Sequence, residues 1–312
     1  MANISTELAD IAISRQLVLI RISNGLSKQV AEHYEAMIDD IRTIILKSGN
    51  ISNRLRQTIK DIKGQLSVPN FDKEFKDLAQ QEVNYTQKAY NNVIGVDVFK
   101  NIPPESAMSS ILSTSLIEGA TVSAWMKDLE ASQAFDVERA IKIGMTLGET
   151  NNQLAQRVVN TMGVSMRNAQ SIVITGTSAI TNKARMDFYS ENDDVIAGYQ
   201  SISVLDGKTS DVCIAYSNAK YNKDFKPING SHRYFPTPRH FRCRSTHIPI
   251  LKTWRELGID EDELQIGTQS SDMGYLPQDY SFSDYLKLKT KEQQNEILGN
   301  GKAQLWRDGS NN

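Results

Sequence analysis

Apolar residues recur at intervals of three and four along most of the first 160 residues, which is the spacing of one helix face. One such run comprises Val30, Tyr34, Met37, Ile38, Ile41 and Ile45. Similar runs lie within residues 55–66, 71–78, 108–112, 122–129 and 154–162. Only Pro69, Pro103 and Pro104 fall in the first 200 residues, and proline breaks helices. The pattern predicts a long helical N-terminal half whose apolar stripes form a buried core.

Glycine and proline mark the predicted helix ends. Gly49 is expected to stop one helix, and the pair Pro103–Pro104 is expected to break the chain before another. Gly163 follows a helical run and is predicted to be its C-cap. The segment TGTSAIT, residues 175–181, is interpreted as a turn within or between helices.

The pattern changes near residue 200. Residues 202–206 and 246–251 are short, rich in strand formers, and separated by a segment rich in proline, glycine and asparagine. We expect the two strands to pair around this loop, and residues 282–298 to be helical again. The fold class predicted is α+β, with a helical region at 1–150 and a mixed domain at 151–312 made of a small β-sheet, a Pro-rich loop and C-terminal helices.

Composition excludes several classes of protein. The 312 residues are 39% hydrophobic and 23% charged with a net charge of −2, which is typical of a globular chain without a strong preference for nucleic acid. No apolar run is long enough to cross a bilayer, and charged residues interrupt the first thirty positions, so we expect no membrane span and no secretory signal. The sequence contains no phosphate-binding loop, no H-E-x-x-H and no G-x-S-x-G motif.

Cys213, His240 and Cys243 form the one chemically distinctive set. His240 and Cys243 make an H-x-x-C pair, a spacing common in zinc sites, and Cys213 would come from the turn after the first strand. Tetrahedral zinc needs a fourth ligand, for which Asp206 or His247 is available. Two alternatives stay open: the cysteines are buried free thiols, or they form a disulfide, which a reducing cytosol disfavours.

The residues around this set suggest a turn and a basic surface. Asp206 in the sequence DGKT is interpreted as a turn residue rather than a catalytic acid, because no partner acid or base lies at a useful spacing. Arg244 either pairs with Asp206 or is solvated. No acidic residue lies between 225 and 255, so the loop is a candidate for contact with DNA phosphates or with an acidic protein surface. The candidate contact residues are Arg233, Arg239, Arg242 and Arg244.

Two segments carry a resemblance to a known family. SVLDGKTSDVC (203–213) and PRHFRCRSTHIPI (238–250) are similar to the signature of the phage Mu F-like minor head proteins, and the helix before them fits as well. The C-terminal segment 282–309 looks like the closing helix pair of that family, with Tyr285–Leu286, Gln294, Leu298–Gly299 and Leu305–Trp306 at its characteristic positions. The resemblance covers about residues 165–309. Ser210 stands where many relatives have a second cysteine, which counts against a complete zinc site.

The resemblance implies a non-enzymatic minor head protein of a tailed phage, assembled in the host cytoplasm and located inside the head near the portal. Its partners would be the portal or capsid protein, with the 1–150 region as the docking candidate, and packaged DNA would be contacted without sequence specificity. One alternative is an internal protein ejected with the genome. Another, of a different class, is an enzyme that uses the Cys/His set as nucleophile and base.

Overall fold

The computed structural model describes residues 4–49, 51–228, 230–253, 255–256, 268–271, 274–277 and 282–309. The helices are α1 (Ile4–Lys47), α2 (Ile51–Lys63), α3 (Asp72–Ile94), α4 (Glu105–Ser109), α5 (Ile111–Thr114), α6 (Val122–Thr146), α7 (Asn151–Glu191), α8 (Asp211–Ala215), α9 (Phe282–Lys287), α10 (Lys291–Leu298) and α11 (Asn300–Gly309). The strands are β1 (Leu116–Ile117), β2 (Ala120–Thr121), β3 (Ile196–Ser203), β4 (Lys220–Asn222), β5 (Pro227–Ile228), β6 (Ser245–Leu251), β7 (Thr268–Ser271) and β8 (Gly274–Pro277). The predicted α+β class is confirmed.

The N-terminal helices bury the stripes that the apolar spacing predicted. Val30, Tyr34, Ile41 and Ile45 of α1 are at most 1% exposed. Gly49, with a φ of 61°, follows α1 as expected, because glycine adopts the left-handed conformation without a steric penalty. The same core continues along α3, α6 and α7 and reaches Tyr199 of β3, so it runs across the predicted boundary at residue 150.

Helix α7 corrects two predictions. It runs unbroken for 41 residues, so Gly163 is not a C-cap and the segment 175–181 is not a turn. The hydroxyl groups that suggested a turn form hydrogen bonds within the helix. Thr177 Oγ1 donates to the carbonyl of Val173, and Thr181 Oγ1 donates to the carbonyl of Thr177. Tertiary packing of the buried helix outweighs the local preference of these residues for turns.

Gly176 is required because other elements cross α7 there. A Cβ at this position would lie 2.7 Å from Cγ2 of Val122 and 3.2 Å from Cζ of Phe75. At Gly163 the nearest such atom is 3.7 Å away, on the flexible side chain of Arg167. Both glycines are helical, but only Gly176 has neighbours that exclude a methyl group.

The main sheet is antiparallel with the strand order β5–β4–β3–β6. The two strands predicted from sequence pair with each other, with Ser203 opposite Ser245 at the end of the ladder. The first strand lies at Ile196–Ser203 rather than 202–206, because Thr209 bonds the carbonyl of Val204 and the amide of Asp206 and folds that segment into a turn.

A buried ionic cluster connects the helices to the sheet. Glu82 of α3 has no exposed side-chain surface and Arg185 of α7 has 2%. The Nε atoms of Arg185 and Arg15 donate to opposite oxygens of Glu82 at 3.0 and 2.8 Å. Arg185 also bonds the hydroxyl of Thr246 on β6. One carboxylate therefore holds α1, α3, α7 and the sheet together.

The C-terminal helices close over the turn that follows β3. Leu205 packs in a small apolar cluster with Leu286, Ile297 and Trp306. Gln294 is buried and donates to the carbonyl of Leu286 at 3.0 Å. The helical prediction for 282–298 is confirmed over α9 and α10. Among the described residues, no helix combines the length and hydropathy that crossing a membrane requires.

The two glycines of α7 make a matched test of packing. We expect Gly176→Ala to lower the free energy of unfolding by about 1–3 kcal/mol, since the added methyl overlaps Val122 and Phe75. Gly163→Ala should instead raise it by up to about 1 kcal/mol, because alanine is the better helix former. Urea denaturation followed by circular dichroism measures both, and equal effects at the two positions would contradict the packing argument.

The buried carboxylate makes a second test. Glu82→Gln leaves two arginines in the core without a countercharge, so we expect a loss of about 3–5 kcal/mol in the free energy of unfolding. The control is Lys73→Ala, which removes the exposed pair with Asp77 and should change stability by less than about 1 kcal/mol. A loss at Glu82 as small as that of the control would show that the ionic cluster does not hold the fold.

Candidate metal centre

The ends of the two central strands and the turns beside them form a small buried site. Ser203 and Ser245 face each other across the ladder, with their hydroxyl oxygens 2.8 Å apart. Ser203 also donates to the carbonyl of Cys213 at 3.1 Å, which fixes the short helix α8 against the strand end. Ser210 is the N-cap of α8 and accepts from the amide of Cys213 at 3.3 Å.

A tight turn at residues 240–243 brings the other two ligand candidates to the same place. The amide of Cys243 donates to the carbonyl of His240 at 3.1 Å, and Arg242 has a φ of 62° at the third position of this turn, as type II turns require. The amide of Arg242 donates to Oγ1 of Thr175 on α7 at 2.9 Å, and Phe241 packs edge-on against Trp125. The turn is therefore anchored on the helical layer.

The three residues expected to form a metal site do converge. The Sγ of Cys213 lies 3.2 Å from Nε2 of His240 and 3.6 Å from the Sγ of Cys243. Both cysteines are free thiols and only 3% exposed. The disulfide alternative is absent, since that bond requires a sulfur separation of about 2 Å.

The orientation of His240 suits a ligand. Its Nδ1 lies 2.7 Å from the carbonyl oxygen of Phe241, which only accepts hydrogen bonds, so Nδ1 carries the proton. In the neutral ring, Nε2 is then the atom with a free lone pair, and it faces the two sulfurs and the hydroxyl of Ser210 at 2.7 Å. A backbone carbonyl that fixes the ring in this way is the usual outer-shell support of a histidine ligand.

The two thiols are electrostatically linked. The pKa of Cys213 lies well below its ordinary value, mainly because the Cys243 thiol donates to it, and further hydrogen bonds from Ser210 and Ser245 add to this effect. The pKa of Cys243 is raised by the same contact and by its burial. The two thiols are therefore expected to titrate as a coupled pair, and a cation bound between them would favour the loss of both protons.

These residues fit three corners of a tetrahedral zinc site. Zinc–sulfur and zinc–nitrogen bonds of about 2.3 and 2.0 Å place two sulfur ligands about 3.8 Å apart and a sulfur and a nitrogen ligand about 3.5 Å apart. The separation of the two sulfurs is 3.6 Å, and all three ligand atoms lie within 4.8 Å of one another. The hydroxyl of Ser210 lies 2.7 Å from Nε2, on the side left for a fourth ligand, but a serine hydroxyl is a poor ligand for zinc. Zinc, when bound, would supply the cation that holds both thiolates.

The structure does not bring Asp206 or His247 to this set. Both oxygens of Asp206 accept from Arg244 at 2.5 Å. Burial raises the pKa of Asp206, but these bonds and the amide of Lys208 outweigh it and hold the pKa below its ordinary value. The interpretation of Asp206 as a turn residue and the alternative of an Asp206–Arg244 pair are confirmed. His247 is fully buried, and its burial, with Arg239 and Arg185 nearby, lowers its pKa to about 3.

Two of the four arginines predicted to contact DNA or the portal point inward. Arg239 is 4% exposed; it donates to Ser201 Oγ at 2.7 Å and stacks over Tyr216. Arg244 is engaged with Asp206. Arg233 and Arg242 are exposed. The run of basic residues is therefore not one continuous surface, because half of its arginines are used as hydrogen-bond donors inside the fold.

Sequence reasoning missed the hydrogen bonds by which three serines and a threonine support the site. The hydroxyl of Ser203 bonds to Ser245 on the neighbouring strand and to the carbonyl of Cys213 in α8, and that of Ser210 bonds to His240. Thr175 on α7 accepts from the amide of Arg242 and so holds the turn. The alignment of Ser203 with Ser245 follows only from the strand register. Thr175 can anchor the turn because α7 is continuous through residues 175–181, a segment that the sequence analysis interpreted as a turn.

A single substitution tests the metal centre. Ser210→Cys places a third sulfur on the fourth side of the site, so we expect zinc affinity to rise roughly ten- to a hundredfold, measured by competition with a chromophoric chelator. Ser113→Cys, exposed on α5, controls for the added thiol. Equal zinc affinity in the two variants, or less than about one zinc per chain in Ser210→Cys, would contradict the assignment.

Comparison with known proteins finds a family model that matches the part of the chain containing this site. Residues 133–248 match the family model described as Phage Mu protein F like protein. No curated protein and no solved structure matches the chain. The match starts in α6, earlier than the expected residue 165, and ends in β6, so it includes Cys213, His240 and Cys243 but not the C-terminal helices. Residues 133–248, which are less than half of the chain, are therefore similar to phage Mu protein F like proteins.

Proposed function

We propose that this chain is a minor head-morphogenesis protein of a tailed phage that is located inside the head near the portal. The observation that carries the proposal is the family match, because it covers one packed unit: the end of α6, all of α7, the central strands and both halves of the Cys/His set. The family is one of phage head proteins. The portal or capsid protein is the proposed partner, with the helical region 1–150 as the proposed docking part.

The geometry of the Cys/His set favours a structural role over catalysis. Both sulfurs belong to residues that are 3% exposed, and the polar atoms around them bond to one another and to the strand ends. A nucleophile must reach a substrate, whereas this set closes a turn onto α8 and α7. We propose that it joins the two halves of the family's segment, with or without zinc.

Contact with packaged DNA remains part of the proposal on a reduced surface. Arg233 and Arg242 stay exposed on the Pro-rich loop, and Arg242 is held at a fixed position on α7 through Ser171 at 3.3 Å. Non-specific phosphate contact needs only accessible cations. A net charge of −2 limits this contact to a secondary role.

The experiment is quantitative mass spectrometry of purified particles before and after triggered DNA release. For a fixed head component near the portal, we expect the chain in full particles, in few copies, and at an unchanged amount in emptied ones. Loss together with the DNA would support the alternative, a protein ejected with the genome. Absence from both kinds of particle would overturn the virion assignment.

A further inference from the structure

A cleft of about 550 Å³ lies between one face of α7, the start of β1 and the Pro-rich loop. Its α7 wall is made of residues spaced by three and four, among them Lys183, Met186 and Asp187. None of the three metal-ligand candidates lines it, so the cleft is separate from the site described above. Its volume is in the range of clefts that hold a small ligand or an inserted side chain.

Two buried polar atoms in the wall of this cleft lack a hydrogen-bond partner among the described residues. They are Oγ of Ser115, a residue that is 2% exposed, and Oδ2 of Asp187. Buried polar atoms are normally hydrogen-bonded, because an unpaired one costs free energy. Two such oxygens in one cleft therefore point to a ligand that supplies hydrogen-bond donors.

The carboxylate of Asp187 has capacity for a second cation. Its Oδ1 accepts from Lys183, four residues earlier on α7, while its Oδ2 is unpaired. Two other carboxylates of this chain, those of Glu82 and Glu138, each bind two cations, one on each oxygen. Since a carboxylate accepts hydrogen bonds at both oxygens, the donor that Oδ2 favours most is a charged one.

Aromatic rings form the wall opposite α7. The ring of Phe225 stacks on Tyr199 with centroids 5.1 Å apart and lies 4.4 Å from that of Tyr234. Phe225 has a φ of 58°, and the amides on either side of it donate to Oδ1 of Asn222 at 3.0 and 2.9 Å, which holds the ring in place. Leu116 and Phe225 are still 48% and 36% exposed, and a protein segment bound here would cover them.

We propose that this cleft binds an arginine side chain of a partner protein, with the guanidinium at Asp187 and Ser115 and the methylene stem along Phe225. The planar guanidinium can donate to two oxygens and pack on an aromatic ring, whereas a lysine offers only a point charge. A phosphate is disfavoured, because Lys183 and Lys223 in the wall each pair with an aspartate of the same cleft. The proposal concerns the purified chain and stands or falls independently of the head-morphogenesis function.

The test measures binding of N-acetyl-arginine N-methylamide to the full chain by saturation-transfer NMR. We expect it to bind at least about tenfold more tightly than its citrulline counterpart, which has the same shape without the charge, and than its lysine counterpart. No binding up to about 50 mM would overturn the proposal. Citrulline or lysine probes that bind as tightly as the arginine probe would contradict recognition of a guanidinium.

Two variants with matched controls locate the binding. Asp187→Asn should weaken binding about tenfold or more, whereas Asp77→Asn, which alters the same kind of i,i+4 pair with Lys73 on α3, should leave it unchanged. Phe225→Gly removes the ring at a φ that glycine tolerates and should weaken binding about fivefold, in contrast to Phe135→Ala on α6. Circular dichroism confirms that each variant folds, and equal effects in variants and controls would refute the cleft as the site.

Two further arms cover the other occupants. Displacement of the arginine probe by inorganic phosphate, compared with chloride at equal ionic strength, would assign the cleft to an anion. Tighter binding of free L-arginine than of the capped probe would assign it to a free amino acid rather than to a protein. Either result contradicts the proposal.

Discussion

The carboxylate of Glu82 is the point on which the architecture depends. It is fully buried between Arg15 and Arg185, and a buried charge is tolerated only when it is paired and hydrogen-bonded. Since the two arginines belong to α1 and α7, and Arg185 also bonds Thr246 of β6, these elements can adopt only arrangements that keep the charges together. Apolar packing tolerates small sliding motions, whereas this cluster does not. It therefore sets how the helical layer meets the sheet.

The position of the Cys/His set follows from that constraint. Helix α7 carries Arg185 toward the sheet and, two to three turns earlier, presents Thr175 to the amide of Arg242. Asn182 between them bonds the carbonyl of Ser245 at 3.3 Å. One helix thus fixes both the strand end and the turn that holds His240. The ligand candidates converge because rigid elements place them, and a metal would complete a geometry that hydrogen bonds already define.

Much of this fold could be predicted from the sequence, and the failures have a common cause. Apolar periodicity identified the helices, and the strand pair enclosing a Pro-rich loop was correct, because these features depend on local spacing. The interpretations of Gly163 and of residues 175–181 as helix breaks were wrong, since the buried course of α7 overrides local preferences. The convergence of Cys213, His240 and Cys243 was foreseen from their types and spacing. The pairing of Arg244 with Asp206 was one of two open alternatives, the other being a solvated arginine, and only the tertiary structure decides between them.

The arginines show why a run of charge in the sequence is a poor guide to a surface. Arg239 and Arg244 belong to the most basic stretch of the chain, yet both donate hydrogen bonds to acceptors of their own fold, Ser201 and Asp206. Arg54 and Arg56 lie in an ordinary helical segment and are exposed, and no carboxylate among the described residues pairs with them. An arginine is available to a partner only after the carboxylates and carbonyls of its own fold have been satisfied. The surface left for recognition is therefore defined by what the fold does not use, and in this basic stretch Arg233 and Arg242 are the arginines that stay exposed.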